Sequence, residues 1–323
     1  MARPTRPGFD VVTGAQVPAG GLAFWARAIR RDRKGLAGAC LLAIFVLVAV
    51  AGPWFVGDPS APVGIPLQPP SWAHPLGTSG QGQDMLAQLV VGTRVSLLLG
   101  FAVGLAVVLL GALVGVPAGY FGGVVDGVLS VATNVFLVLP GLPLAIVIAA
   151  YLPAGATALA VVLIVTGWAW NARVVRSQTL ALRRRDFVAA AVVAGQSNLN
   201  ILRVEILPNM LSILVAQVVG STVYAIGAQV GLEFLGLGDV SRVSWGTILY
   251  WAQNDSALLT GAWWTFVPAG LCVALVGFAL TLLNSGFDEI TNPRLGVERV
   301  WRAYLARRGR PAGHSTPVVR DDA

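Results

Sequence analysis

The chain has 323 residues, of which 56% are hydrophobic and 11% charged, and its mean hydropathy is +0.74. Soluble domains carry about 25% charged residues, so a soluble fold of this length could not bury so much apolar surface. The composition therefore predicts a membrane protein surrounded by lipid. The formal net charge of +7 leaves nucleic-acid binding as an alternative until the positions of the basic residues are considered.

Apolar stretches without charge predict six membrane-crossing helices, each of about 20 residues. The first is 36–56, and its 21 residues exceed the apolar region of about 7–15 residues of a cleaved signal peptide. The second ends near Ala118. The stretch 127–172 is too long for one helix and predicts two, with a turn at 153–155. Spans five and six are predicted at 206–232 and about 263–287. The predicted regions are a cytoplasmic segment 1–35, a first span 36–56, an extracytoplasmic loop 57–94, a transmembrane core 95–296 and a cytoplasmic tail 297–323.

The basic residues predict the orientation of these helices. Of the 22 lysines and arginines, seven precede the first span, six lie between spans four and five, and seven follow span six. Cytoplasmic loops retain Lys and Arg, so both termini are predicted to be cytoplasmic; only Arg94 and Arg242 fall on the outer side. Basic residues spread over three segments in this way are topology signals, which excludes the nucleic-acid interpretation.

The sequence lacks the motifs of nucleotide-binding and metal-binding sites. A phosphate-binding loop ends in Gly-Lys-Ser/Thr, which the only lysine, Lys34, does not match. His74 and His314 lie far apart, and Cys40 and Cys272 lack metal-ligand spacing and are interpreted as apolar packing residues. We therefore predict no catalytic, metal or cofactor site. The predicted spans hold essentially no charge, which argues against proton-driven transport and indicates an external energy source.

The segment 185–209 predicts a cytoplasmic helix-turn-helix between spans four and five. Asp186 is a suitable N-cap for a short helix through Ala194, and Gly195 suits the position that ends it. A second short helix is predicted from Ser197 or Asn198, and Pro208 marks the start of span five. The small residues Ala189, Ala190 and Ala191 would let the first helix sit deep in a partner's groove; a solvated loop helix is the alternative.

These residues resemble the signature of permeases of ATP-binding-cassette importers, which reads Glu-Ala-Ala, three residues, Gly, nine residues, then Ile-x-Leu-Pro. The chain has Ala189-Ala190-Ala191, Gly195 and Glu205-Ile206-Leu207-Pro208 at this spacing. Ala189 replaces the glutamate, and Glu205 stands where Ile or His is usual. Further segments resemble the C-type subunit of dipeptide and oligopeptide permeases: 74–78 (HPLGT), 82–84 (GQD), 92–97 (GTRVSL), 118–123 (AGYFGG), 234–238 (FLGLG), 244–246 (SWG) and 292–295 (NPRL).

The resemblance covers residues 30–296 and implies an all-α protein of the bacterial cytoplasmic membrane. It implies a second homologous permease subunit, two ATPase subunits and an extracytoplasmic binding protein as partners, with ATP and Mg held by the ATPases. The implied coupling loop contains Asp186, Ala189, Ala190, Ala191, Gly195, Leu207 and Pro208. Peptides are the expected cargo; nickel chelates, glutathione and sugars remain alternatives within the same machine. A channel, a secondary transporter and an intramembrane enzyme are disfavoured by the uncharged spans and the missing nucleophile–base set.

We assign three residues of the predicted outer segment to the mouth of the pathway as a hypothesis: Glu233, Asp239 and Trp245. A carboxylate at Glu233 would attract a cationic group, such as the amino terminus of a peptide, and raise its local concentration. The alternative is that Glu233 is a solvated or arginine-paired residue at the membrane edge, which contributes little.

Overall fold

The computed structural model describes residues 33–291, and this part of the chain is built from helices without a β-strand. The predicted tails 1–35 and 297–323 therefore lie almost entirely outside the described residues. The helices, in chain order, are α1 (Arg33–Ala51), α2 (Met85–Phe121), α3 (Gly123–Val138), α4 (Gly141–Tyr151), α5 (Ala156–Arg183), α6 (Asp186–Val193), α7 (Asn198–Phe234), α8 (Trp245–Asn254), α9 (Ala257–Thr260) and α10 (Val267–Thr291).

Five of these helices, α1, α2, α5, α7 and α10, are long and apolar enough to cross a membrane. We call the end of the bundle that holds α6 the α6 face, and the end that holds α8 the α8 face. Helix α2 ends at the α6 face, where the Tyr120 hydroxyl donates to Asn198 Oδ1 at 3.0 Å. Helix α5 begins at the α8 face, where Leu159 lies beside Gly238. The pair α3 and α4 connects these two faces and is thus one broken crossing, bent by 87°.

The predicted all-α membrane fold is confirmed, and the turn at 153–155 separates α4 from α5. Three features differ from the sequence prediction. Helix α2 starts at Met85, because Asp84 caps it by accepting the Ala87 N–H at 2.9 Å, so residues 85–94 are helical. The third span is broken after Val138. Span five and the second short helix of the loop form the single helix α7.

Two charged residues just outside the predicted charge-free stretches lie on the crossing helices and pair with each other. Arg176 of α5 donates from Nη2 to Asp126 Oδ2 of α3 at 2.7 Å, and Ser130 donates to the same carboxylate at 2.9 Å. The arginine and the carboxylate thus satisfy each other, as ionised residues inside a membrane protein must. The pair holds the start of α3 against α5 near the α6 face.

Glycines let α2 approach two neighbouring helices closely. A Cβ added to Gly115 would lie 2.5 Å from the Ala172 carbonyl oxygen of α5, and one added to Gly104 would lie 2.7 Å from the Thr222 backbone nitrogen of α7. Both distances are shorter than side chains tolerate, so the backbones are in direct contact, as is common where small residues meet in membrane helices. Helix α2 is therefore the central element on which α5 and α7 pack.

The loop between α1 and α2 is folded over the α8 face. Thr78 is fully buried, and its carbonyl accepts a hydrogen bond from Trp264 Nε1 at 3.2 Å. His74 Nδ1 lies 2.9 Å from Asp84 Oδ2. These contacts fasten the loop to the start of α2 and to the segment before α10, so it is a structured cap on the bundle.

Candidate functional site

Helix α6 lies outside the spans and ends in a geometry that requires glycine. Gly195 has a φ of +74°, and its N–H donates to the Val192 carbonyl at 3.0 Å. The next N–H, of Gln196, donates to the Ala191 carbonyl at 3.1 Å. This pair of bonds is the Schellman motif, in which a left-handed residue satisfies the last carbonyls of a helix. The structure agrees with the predicted helix end at Gly195.

The beginning of α6 differs from the prediction by one residue. Asp186 was predicted as the N-cap, but Arg185 occupies the N-cap position without a side-chain cap, and Asp186 is the first helical residue. Its carboxylate lies within the first turn, where the partial positive charge of the helix end favours an anion. Asp186 is exposed, so it remains accessible to solvent or to a partner.

Helix α6 has one inward and one outward side. Val188 and Ala191 are buried in a cluster with Ile206 and Met210 of α7. Ala189 is exposed, so the three predicted alanines do not share one surface. Its outward side consists of Ala189, Ala190, Val192 and Val193, and we call these residues together with the exposed Leu199 at the start of α7 the α6 surface.

The α6 surface is apolar although it lies beyond the membrane-crossing part of the bundle. Val193 is 89% exposed and Leu199 56% exposed. Exposed arginines flank the surface in the chain at 183–185 and at 203. Contiguous exposed apolar residues rimmed by polar ones are typical of protein–protein interfaces. The exposure of Val193 and Leu199 favours docking over the alternative of a solvated loop helix.

The start of α7 connects this surface to the membrane bundle. The Ser197 side chain caps it by accepting the Asn200 N–H at 3.4 Å, and a wider π turn follows at Ile201–Ile206. Pro208 cannot donate a hydrogen bond to the preceding turn, yet it stands within the continuous helix directly after the π turn. Leu207 packs against the same cluster as α6. Pro208 lies in the first turn of the α-helical part Leu207–Phe234, which agrees with its predicted position at the start of span five. The π turn joins this part to the preceding short helix.

Glu233 lies inside the protein, contrary to both sequence interpretations. It is 5% exposed, its Oε2 accepts from Ser244 Oγ at 2.6 Å, and its Oε1 accepts from Gln229 Nε2 at 3.1 Å. The backbone N–H of Gly246 is a further donor. The carboxylate is thus neither at an open mouth nor paired with arginine; it joins the end of α7 to the start of α8.

The other two residues of the predicted mouth are placed differently from each other. Trp245 is fully buried, and its backbone N–H donates to Ser96 Oγ of α2 at 3.1 Å, so it is a core residue. Asp239 lies on the half-exposed loop before α8, with Arg242 Nε 3.3 Å from its Oδ2. A hydrogen bond from the Ser241 side chain lowers the pKa of Asp239.

Residues 108–295 match the family described as binding-protein-dependent transport system inner membrane component. The chain belongs to this family. A putative peptide transport system permease protein of Brucella suis biovar 1 is 34% identical over 276 residues, which cover 84% of this chain and 92% of the relative. The dipeptide transport system permease protein DppC of Bacillus subtilis is 30% identical over 274 residues, or 83% of this chain and 84% of the relative.

A third relative, the di/tripeptide transport system permease protein DppC of Pseudomonas aeruginosa, is 30% identical over 281 residues, or 84% of this chain and 91% of the relative. These matches confirm the resemblance that the motifs indicated. As a family member, the chain is a multi-pass membrane component of a transport system with further subunits.

Proposed function

We propose that this chain is the permease subunit that forms half of the translocation pathway of an importer for dipeptides or oligopeptides. The proposed system lies in the cytoplasmic membrane and contains a second, homologous permease, two ATPase subunits that hold ATP and Mg, and an extracytoplasmic binding protein. The names of the relatives support the cargo.

The observation that carries the proposal is the apolar α6 surface beside exposed arginines. Arginine-rich segments are retained in the cytoplasm, so the α6 face would be cytoplasmic and available to an ATPase. The loop after α1 is folded over the α8 face, so the described start of α1 lies at the α6 face, and there Gly38 packs against Leu283 near the end of α10. Both termini are therefore proposed to be cytoplasmic.

The packing under α6 explains how an ATPase would move the spans. Val188 and Ala191 of α6 contact a buried cluster that includes Val116 of α2, Val175 of α5 and Met210 of α7. Close-packed interiors move as units between discrete arrangements. When the ATPases close on ATP, a pull on α6 would therefore be passed to three spans at once and switch the pathway between its inward-facing and outward-facing forms.

The test compares acidic substitutions on the two faces of the assembled transporter. Val193→Asp places a charge on the α6 surface and should weaken association with the ATPases about tenfold or more, because burying one valine contributes about 1.5–3 kcal/mol. Val63→Asp is the matched control, since Val63 is 49% exposed in the loop at the α8 face.

The same reconstituted preparation tests the activity. Accumulation of a labelled tripeptide in proteoliposomes should require ATP, the binding protein and all four membrane-associated subunits, and the isolated chain should hydrolyse no ATP. Equal ATPase association in wild type, Val193→Asp and Val63→Asp would contradict the docking role. Failure of the complete wild-type system to accumulate any peptide would contradict the cargo.

A further inference from the structure

The break between α3 and α4 interrupts a membrane crossing where backbone polar groups have no water. Helix α3 ends at Val138 and α4 begins at Gly141, with the N-cap Pro140 offering no side-chain cap. The first N–H groups and last carbonyls of a helix lack partners within it. Irregular backbone at membrane depth is tolerated where it is buried in protein or lines a polar cavity. The break therefore requires packed protein or a polar cavity beside it.

A cavity of about 540 Å³ lies against the break. Leu139 and Gly141 of the break line one side, Asn171 of α5 lines another, and Gln217, Ser221 and Tyr224 of α7 line a third. Asn171 is 15 residues from the start of α5 at the α8 face, or about 22 Å at 1.5 Å per residue. The cavity thus lies near the mid-height of the bundle, and it is open at the surface of the chain, since the lining residues Trp170 and Tyr224 are 63% and 44% exposed.

The polar groups in this cavity are neutral and incompletely paired. Asn171 Nδ2 donates to Ser221 Oγ at 3.1 Å. Gln217 Nε2 and Oε1 are both buried, and neither has a hydrogen-bond partner among the described residues. A buried amide without partners costs free energy, so Gln217 would gain free energy if its side chain turned into the cavity and met a molecule that supplies both an acceptor and a donor. None of the lining residues carries a charge.

We propose that this cavity is the place where the chain contacts a translocating peptide, and that Gln217 hydrogen-bonds to a backbone amide of that peptide. A peptide unit offers one N–H donor and one carbonyl acceptor, which matches the side-chain amide of Gln217. Because every peptide carries the same backbone, such a contact accepts cargo regardless of side chain. The volume lies in the range of small-ligand sites, roughly 300–1,000 Å³. This inference rests on the proposed function.

The test combines a change in the cargo with a change in the protein. The complete transporter in proteoliposomes is given a tripeptide or the same molecule with both of its amides replaced by esters, which lack the N–H donor. The measured quantity is the ratio of the two uptake rates. The binding protein contributes the same factor to this ratio in every variant, so a change in the ratio reports the permease alone.

Gln217→Met keeps the side-chain volume and removes the amide. We expect the preference for the amide over the ester to fall about threefold to tenfold, as the loss of one hydrogen bond between neutral groups predicts. Gln253→Met is the matched control, because Gln253 is exposed on α8 away from the cavity and should leave the ratio unchanged. An equal ratio in wild type and Gln217→Met would overturn the proposal.

A second measurement covers the case in which Gln217→Met does not assemble. Ser221→Cys and Ala73→Cys are compared in a chain without its native cysteines, Cys40 and Cys272. The tripeptide should slow modification of the cavity thiol by a small maleimide and leave that of Ala73→Cys unchanged, since Ala73 is exposed in the loop at the α8 face. Absence of protection at Ser221→Cys would overturn the proposal, whereas a wild-type system that takes up no peptide would instead refute the proposed function.

Discussion

Replacing Gly195 by valine perturbs the end of α6 through the backbone alone. Gly195 has a φ of +74°, and a Cβ built on it would meet no other heavy atom within 4 Å. A side chain there thus causes no collision, and the whole effect comes from the conformation. The left-handed conformation costs an L-residue about 1–2 kcal/mol, and a β-branched side chain is more restricted still.

This cost is large compared with what holds the last turn of α6. The helix has eight residues, and its inward contacts are made by Phe187, Val188 and Ala191. Releasing the strain by unwinding the last turn would lose the two Schellman hydrogen bonds and displace Val193. About 1.4 kcal/mol corresponds to a tenfold change in an equilibrium constant, so the ratio of docking-competent to unwound α6 should decrease about tenfold in Gly195→Val.

The assay is ATP hydrolysis and peptide uptake by the reconstituted transporter, measured together so that their ratio reports coupling. Gly195→Val should lower ATPase association or the number of peptides moved per ATP, while membrane insertion stays intact. Gly195→Asn is the control, because asparagine adopts the left-handed conformation at lower cost and should remain near wild type. Wild-type coupling in Gly195→Val would show that the end of α6 is only a connector and refute the reasoning.

The other two predictions concern Glu233 and the orientation of the chain. Glu233→Ala should lower the free energy of unfolding by roughly 3 kcal/mol in thermal unfolding, because it leaves buried donors unpaired. Glu233→Gln should lower it less, and peptide uptake by this variant should not vary with salt. A salt-dependent uptake defect would support the hypothesis that Glu233 attracts a cationic group of the cargo. A cysteine in place of Ala73, which is exposed in the loop at the α8 face, should react with an impermeant reagent from outside the cell, and one in place of Val193 should react only from inside. The opposite labelling pattern would overturn the orientation and the docking role with it.

Much of the architecture follows from the linear order of apolar and charged residues. A crossing helix must satisfy its backbone hydrogen bonds internally, so an uncharged apolar run of sufficient length has one stable conformation in a bilayer. The turn at 153–155 and the helix end at Gly195 are likewise local, because proline and glycine act through the backbone of their own segment. For these features the sequence prediction and the structure agree.

The broken crossing was missed because hydropathy does not register a change of direction. Leu139 and Leu142 are as apolar as their neighbours, and only Pro140 and Pro143 signal that the helix cannot continue. Prolines also occur within intact helices, as Pro117 does in α2. Whether a proline breaks a helix depends on the neighbouring helices that can satisfy the freed backbone groups.

The placement of Glu233 and Gln217 was decided by tertiary structure alone. By sequence position Glu233 is an acid at the end of an apolar run, where water is the expected partner. It is buried because Ser244, eleven residues later, returns to donate to it, and because Gly246 has no side chain to keep α8 away. Gln217 faces a cavity only because α3, α4 and α5 surround that side of α7. A local pattern determines which residues can enter the membrane, but hydrogen-bond partners and cavities are formed by segments distant in the chain, and these are set only when the helices pack.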